Sequence, residues 1–132
     1  MQHPLIAALD LQPHPEGGWY RETFRQPAPD SGRGLATCIL FLLEDGQKSH
    51  WHRVDAAELW LWHAGSPLTL MIDRDTHRLG GDVLAGHLPQ AIVPVGAWQA
   101  ADARDGWALV SCVVTPAFDF AGFELAEPGW SP

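Results

Sequence analysis

Short apolar and β-branched runs, interrupted by turn residues about every eight to twelve positions, dominate the hydrophobic pattern of the chain. Residues 35–43 form a continuous apolar run too short for a typical buried helix, which predicts a central strand buried on both faces. Residues 107–115 predict a second central strand. Other runs predict strands at residues 19–24, 49–54, 58–63, 68–73, 91–93 and 98–101, with a hairpin over 73–81. The pattern therefore predicts an all-β fold, a sandwich or barrel with a jelly-roll connection.

Only the beginning of the chain has helical spacing. Leu5, Ile6 and Leu9 follow Pro4, and Pro13 ends the run, so we expect a short N-terminal helix that caps the β body. The chain has 13 glycines and 11 prolines with only 18% charged residues, a composition typical of short strands joined by tight turns. Without a repeat or linker, residues 1–132 are predicted to form a single domain.

The charge balance excludes several classes of partner. Eight Lys and Arg residues stand against 16 Asp and Glu, giving a net charge of −8, and Lys48 is the only lysine. Nucleic acids and anionic membranes require a basic surface, so neither is expected as a partner. The longest uncharged stretch, residues 83–101, contains Pro89 and Pro94 and does not predict a membrane span. No secretion signal is visible, so we expect a cytoplasmic protein in which Cys38 and Cys112 are buried free thiols.

The sharpest chemical signal is a His-Trp-His motif followed by a glutamate. His50 and His52 are two positions apart on a predicted strand, so they are expected to share a face, and Glu58 begins the next strand. Two imidazoles and a carboxylate form a facial metal-binding set. The alternatives are that the histidines line a polar groove that holds no metal, or that one of them is exposed.

Trp60 and Trp62 alternate along the strand that Glu58 begins. If Glu58 faces a cavity, both tryptophans face it too and form an aromatic wall beside the carboxylate. The alternative is ordinary packing in the barrel core.

The order of these signals resembles the cupin superfamily, whose motifs place G, HxH, E and G before P-x-G-x-x-H. More narrowly, the chain resembles the small family catalogued as cupin family 5. The matching residues cover nearly the whole chain. They are the PHPEGG segment 13–18, Arg21-Glu22, residues 49–53, Glu58-Leu59-Trp60, residues 64–68, Leu79-Gly80, residues 93–96 with Trp98-Gln99, and Phe118-Asp119-Phe120. The resemblance implies a double-stranded β-helix that often forms a homodimer and whose biochemical function has no settled assignment. Members of this family are similar in fold to the rhamnose-pathway 3,5-epimerases.

The resemblance also suggests a metal set, with departures. Gln99 stands where the general motif has its last histidine, and an amide oxygen is a weaker ligand for a transition metal than an imidazole. The set implied here is His50, His52, Glu58 and Gln99, holding one divalent transition metal of unspecified identity.

Glu16 and Arg21 are the other candidate ligand-binding residues, together with Trp60, Trp62 and Gln99. Glu16 precedes Gly17-Gly18, where the backbone can approach a ligand closely. Arg21 offers a guanidinium that can hold a carboxylate or phosphate by two hydrogen bonds.

Two functions remain open. The first is a small-molecule epimerase, isomerase or lyase that binds a sugar-like or carboxylated metabolite and moves a proton with His52 and Glu58. The alternative is a non-catalytic binding or sensing module that uses the same cavity for recognition alone.

Overall fold

A computed structural model describes residues 2–132 of the chain. The elements are the helix α1 (Pro4–Ala8) and the strands β1 (Gln12–Pro13), β2 (Trp19–Gln26), β3 (Ala36–Leu43), β4 (Lys48–Val54), β5 (Ala57–Gly65), β6 (Leu68–Ile72), β7 (Asp75–Leu79), β8 (Gln90–Val93), β9 (Gln99–Asp102), β10 (Ala108–Thr115) and β11 (Phe123–Leu125). Single 3₁₀ turns lie at Val83–Ala85 and Phe120–Gly122.

The strands form two antiparallel sheets. The larger has the order β1-β2-β3-β10-β5-β8 and the smaller has the order β11-β4-β9-β6-β7. The two long apolar strands, β3 and β10, are neighbours at the centre of the larger sheet. The predicted all-β double-stranded β-helix, with a short N-terminal helix, is thereby confirmed.

The sequence pattern misses two strands, and the reason is their length. β1 has two residues and β11 has three, so neither shows an alternating pattern that could be recognised. β11 nevertheless pairs with β4 and brings Phe123 opposite Val54.

One half of the interior between the sheets is filled by side chains. Phe41, Trp60, Leu68 and Leu70 are almost fully buried and belong to the largest apolar cluster, together with Leu79, Val93 and Val110. Glu58 precedes Trp60 on the same face of β5, and there the interior is no longer filled but opens into a cavity.

β4 contains a bulge that decides which of its side chains point inward. Ser49 pairs with Ala101 and His52 pairs with Gln99, so three steps along β4 oppose two steps along β9. The extra residue reverses the alternation, and Ser49 and His52 both become buried.

Within residues 2–132, no helix is long and apolar enough to cross a membrane.

The filled half of the barrel gives the first prediction. Leu70 is completely buried in the largest cluster, so Leu70→Ala should lower the free energy of unfolding by about 2–5 kcal/mol in urea titrations. Leu35 is 49% exposed and lies outside the buried clusters, so Leu35→Ala serves as the control and should lower it by no more than about 1 kcal/mol. Equal losses in the two variants would contradict this placement of the core.

Candidate functional site

A cavity of about 500 Å³ opens to solvent at the unfilled end of the barrel. Its wall includes Glu58 from β5, His52 from β4 and Tyr20 from β2. Three phenylalanines of the C-terminal part of the chain complete one side: Phe118, Phe120 and Phe123. This size suits a small metabolite.

The 14–18 segment is docked against β4 and brings two more functional groups to the cavity. The His50 backbone N–H donates to the Glu16 carbonyl at 2.7 Å, and the His14 N–H donates to the Gly18 carbonyl at 2.9 Å. Gly17 has a φ of +106°, and a Cβ there would collide with the Lys48 carbonyl, so only glycine permits this close approach. The double glycine therefore fixes where Glu16 lies.

Glu16 is buried between two imidazoles. One carboxyl oxygen lies 3.2 Å from His14 Nδ1, and the other lies 3.3 Å from His52 Nε2. The Ser49 hydroxyl donates to the second oxygen. His52 Nδ1 donates to the His50 carbonyl at 2.7 Å, so Nε2 carries the lone pair and faces the Glu16 carboxyl.

Glu58 is held by an amide and an indole in series. Gln99 Nε2 donates to Glu58 Oε1 at 3.1 Å, and Trp60 Nε1 donates to Gln99 Oε1 at 2.8 Å. The indole fixes the orientation of the amide, so its NH₂ group must face Glu58.

Burial shifts the protonation of the acids and of the imidazoles in opposite directions. It raises the pKa of Glu16 to about 8, against the hydrogen bond from Ser49, and the pKa of Glu58 to about 7. It lowers the pKa of His14 to about 4, with His52 adding to the effect, and it also lowers the pKa of His52. The cluster therefore favours neutral acids beside neutral imidazoles.

The prediction that His50 and His52 share a face is wrong. The bulge in β4 places His50 outside the cavity, where its Nε2 contacts the Glu127 carbonyl at 2.9 Å. A strict two-residue alternation cannot anticipate an inserted residue.

The structure brings some of the predicted ligand-binding residues to the cavity and leaves others away from it. Glu16 lines it, but Arg21 lies on the opposite face of β2 from Tyr20 and does not. Neither Trp60 nor Trp62 lines the cavity: Trp60 is completely buried in the core, and Trp62 is partly buried against that core. Gln99 does not line the cavity; it donates a hydrogen bond to Glu58, which does.

The four residues of the predicted metal set do not fit a metal ion. His50 lies outside the cavity, and the Gln99 amide presents its donor group, not its oxygen, to Glu58. In the part of the chain that the structure describes, no group of three or more His, Cys, Asp or Glu side chains has an arrangement suited to a metal.

His14 and the three phenylalanines were not among the predicted site residues. His14 belongs to the same unusual segment as Glu16, so a signal was present in the sequence, although its role was not. Arg25 also reaches the cavity, because β2 has its own irregularity between Glu22 and Phe24. Its guanidinium donates to Glu22 at 2.8 Å and to the Phe118 carbonyl at 3.2 Å.

The chain is similar to known protein families and structures. The model of the family Cupin_5, described as Cupin superfamily (DUF985), matches residues 3–126. A protein of Shewanella oneidensis is 42% identical, with 96% of this chain and 86% of that chain covered and a TM-score of 0.86. A hypothetical protein from Leishmania major is 34% identical, with 92% and 84% covered and a TM-score of 0.80.

More distant structures share the fold alone. A cupin 2 conserved barrel domain protein from Rhodopseudomonas palustris is 16% identical, with 84% of this chain and 68% of that chain covered and a TM-score of 0.63. No functionally curated protein matches the chain.

The buried acids predict how stability depends on pH. A carboxyl whose folded pKa is raised stabilises the fold below its unfolded pKa of about 4.5, and this stabilisation is lost as the pH rises through about 7 for Glu58 and 8 for Glu16. His14 has the opposite effect, because its pKa is lowered in the folded state. Its contribution to the free energy of unfolding is present above pH 6.5 and is lost as the pH falls towards 4. Between pH 6.5 and 8.5 the free energy of unfolding should therefore fall.

Glu16→Gln removes one of the two ionisations and should flatten this fall in urea titrations at several pH values. Glu127→Gln changes an exposed carboxylate and should follow the native curve. If Glu16→Gln and the native protein lose stability in parallel, Glu16 is already ionised at neutral pH in the folded protein.

Proposed function

Since the chain belongs to the family described as Cupin superfamily (DUF985), we propose that it binds a small polar metabolite in its cavity and transfers a proton on that ligand with Glu58. One observation carries this proposal: Glu58 is a buried carboxyl in the cavity wall whose pKa is raised to about 7. A general acid–base works best when its pKa is close to the working pH.

His52 and Glu58 have different roles in this proposal. Both nitrogens of His52 are already engaged, one with the His50 carbonyl and one with the Glu16 carboxyl. His52 is therefore a positioning residue that holds Glu16. One oxygen of Glu58 is bound by Gln99, which orients the carboxyl for contact with the ligand.

The proposed chemistry is exchange of a proton on a carbon next to a carbonyl group. The ionised Glu58 takes the proton, the C–H bond breaks, and its electron pair moves towards the carbonyl oxygen. Return of a proton from Glu58 to the same face restores the bond, and a Glu58 carboxyl that has exchanged its proton with the solvent returns solvent hydrogen instead. Enolate formation of this kind is the common step of isomerases and epimerases that act on sugars.

The charges in the cavity favour a sugar-like ligand over a carboxylated one. A bound carboxylate needs a cation, but Arg21 is not in the wall. The Arg25 guanidinium is already bound to Glu22 and to the Phe118 carbonyl. Phe120 and Phe123 add an apolar surface of the kind against which the C–H face of a sugar packs.

Hydrogen–deuterium exchange tests this function. Sugars, hydroxyketones and keto acids are first screened by thermal shift, where a ligand at about 100 times its Kd adds about 2.7 kcal/mol to stability. The ligands that bind are then incubated in D₂O, and loss of the proton next to the carbonyl is followed by NMR. Glu58→Gln should slow the exchange by about 10²–10⁴-fold and leave binding in place.

His63→Gln is the matched control, because His63 contacts Ser111 Oγ at 2.6 Å and is not part of the cavity wall. Its exchange rate should equal that of the native protein. Binding without any exchange in the native protein would favour the recognition module instead, and an absence of binding across the screen would contradict both.

A homodimer is the assembly that we propose for the chain. β8 is an edge strand of the larger sheet, and edge strands expose unpaired backbone groups. In and near this strand along the chain, Val83, Leu84, Ile92 and Val95 are exposed. Pairing of this edge with a second copy would cover both features in one symmetric contact.

Ile92→Lys should convert the protein from a dimer to a monomer at micromolar concentration, because a lysine on an edge strand opposes further pairing. Light scattering measures the mass. Leu125→Lys is the control on the edge strand of the other sheet and should leave the dimer intact. A monomeric native protein would overturn the proposal.

A further inference from the structure

His14 is held rigidly in the cavity wall by its neighbours. Its side chain is only 4% exposed. The ring packs edge-on against Tyr20, with centroids 4.5 Å apart, and lies 6.2 Å from the ring of Phe123. Its orientation is thus set by packing as well as by hydrogen bonds.

The hydrogen bonds of His14 fix which nitrogen carries its proton. The Glu16 backbone N–H donates to Nδ1 at 3.2 Å. Nδ1 must then carry a lone pair, and the proton of the neutral ring lies on Nε2. A Glu16 carboxyl oxygen lies 3.2 Å from the same nitrogen, and when this carboxyl is protonated it can donate to Nδ1 and supports the same tautomer.

Nε2 has no partner among residues 2–132. It makes no hydrogen bond to these residues. Every fully enclosed side-chain nitrogen and oxygen in that part of the chain does have a hydrogen-bond partner, so Nε2 is not fully enclosed and is accessible from the cavity that His14 lines. Buried polar groups are normally hydrogen-bonded. A donor that is held rigidly and left free at a cavity wall points to an acceptor atom of a ligand.

We infer that His14 is a ligand-binding residue that donates its Nε2–H to an uncharged carbonyl or hydroxyl oxygen of the small molecule in the cavity. This inference rests on the proposed function only for the presence of a ligand, and it does not require proton transfer by Glu58.

The protonation of His14 agrees with this role. Burial, with the nearby His52, lowers the pKa of His14 to about 4, so the ring is neutral at physiological pH. A neutral imidazole donates a hydrogen bond without bringing a charge, and it can polarise a carbonyl oxygen in a low-polarity site. A carboxylate ligand would have to compete for the Arg25 guanidinium, which already donates to Glu22 and to the Phe118 carbonyl.

NMR of ¹⁵N-labelled protein tests the tautomer first. Long-range ¹H–¹⁵N spectra should show His14 with a protonated Nε2 and an unprotonated Nδ1, unchanged from pH 5.5 to 8. His3, which is partly exposed, is the internal comparison. A proton on Nδ1, or a doubly protonated ring at pH 6, would overturn the inference.

Titration with three probes then tests the ligand class: dihydroxyacetone as a neutral hydroxyketone, acetate as a carboxylate, and methylammonium as a cation. Dihydroxyacetone should shift Nε2 and its proton more than either ion does. His14→Phe, which keeps the ring shape, should weaken dihydroxyacetone binding at least tenfold, and His14→Gln, which retains a donor, should recover part of it. His63→Phe is the control and should bind like the native protein.

The outcomes separate the two proposals. If dihydroxyacetone shifts the resonances of Thr37 and Val114 in the cavity wall but not those of His14, the inference fails while the proposed function stands. If acetate produces the larger shift at Nε2, the uncharged-oxygen class is wrong. If the three probes leave every cavity resonance unchanged, a ligand from the thermal-shift screen is used in their place. The inference then fails if this ligand shifts cavity resonances but not those of His14. A screen without any binder overturns both proposals.

Discussion

The hydrogen bond from the His50 N–H to the Glu16 carbonyl, 2.7 Å long, fixes the arrangement on which the site depends. It joins the 14–18 segment to β4 at the bulge, where the strand has one residue more than its partner β9. The same contact requires Gly17, because a Cβ there would meet the Lys48 carbonyl. The bulge turns His50 outward and His52 inward, and the backbone contact carries Glu16 to the imidazoles.

The buried cluster of His14, Glu16 and His52 is favoured when all three side chains are neutral. The lone pairs of His14 Nδ1 and His52 Nε2 both face the carboxyl of Glu16, so an ionised carboxylate would oppose two lone pairs, whereas a protonated carboxyl can donate to one of them. Burial favours the same neutral state for the acid and for the imidazoles. Desolvation and the two lone pairs therefore act in the same direction and outweigh the hydrogen bond from Ser49, which favours the ionised carboxylate.

The barrel divides its interior between stability and chemistry. Trp60 lies at the boundary, since its ring belongs to the apolar core and its N–H holds Gln99, which in turn holds Glu58. An amide in this position is oriented by the indole and presents a donor to the carboxylate. A histidine there could have offered a lone pair to a metal, but the glutamine is committed to hydrogen bonds on both sides.

The sequence alone determined the fold, because the long apolar runs that became β3 and β10 are strong, local signals and the motif order resembles one family over nearly the whole chain. It also identified Glu16, His52 and Glu58, which the structure brings to one cavity. It could not place His50 or Arg21, nor the depth of Trp60. Strand alternation assigns a side chain to a face, but a bulge reverses that assignment, and the depth at which the core ends depends on how distant side chains fill the barrel. The free nitrogen of His14 likewise has no sequence signature, because it results from a turn, a strand and a carboxyl that meet only in the folded chain.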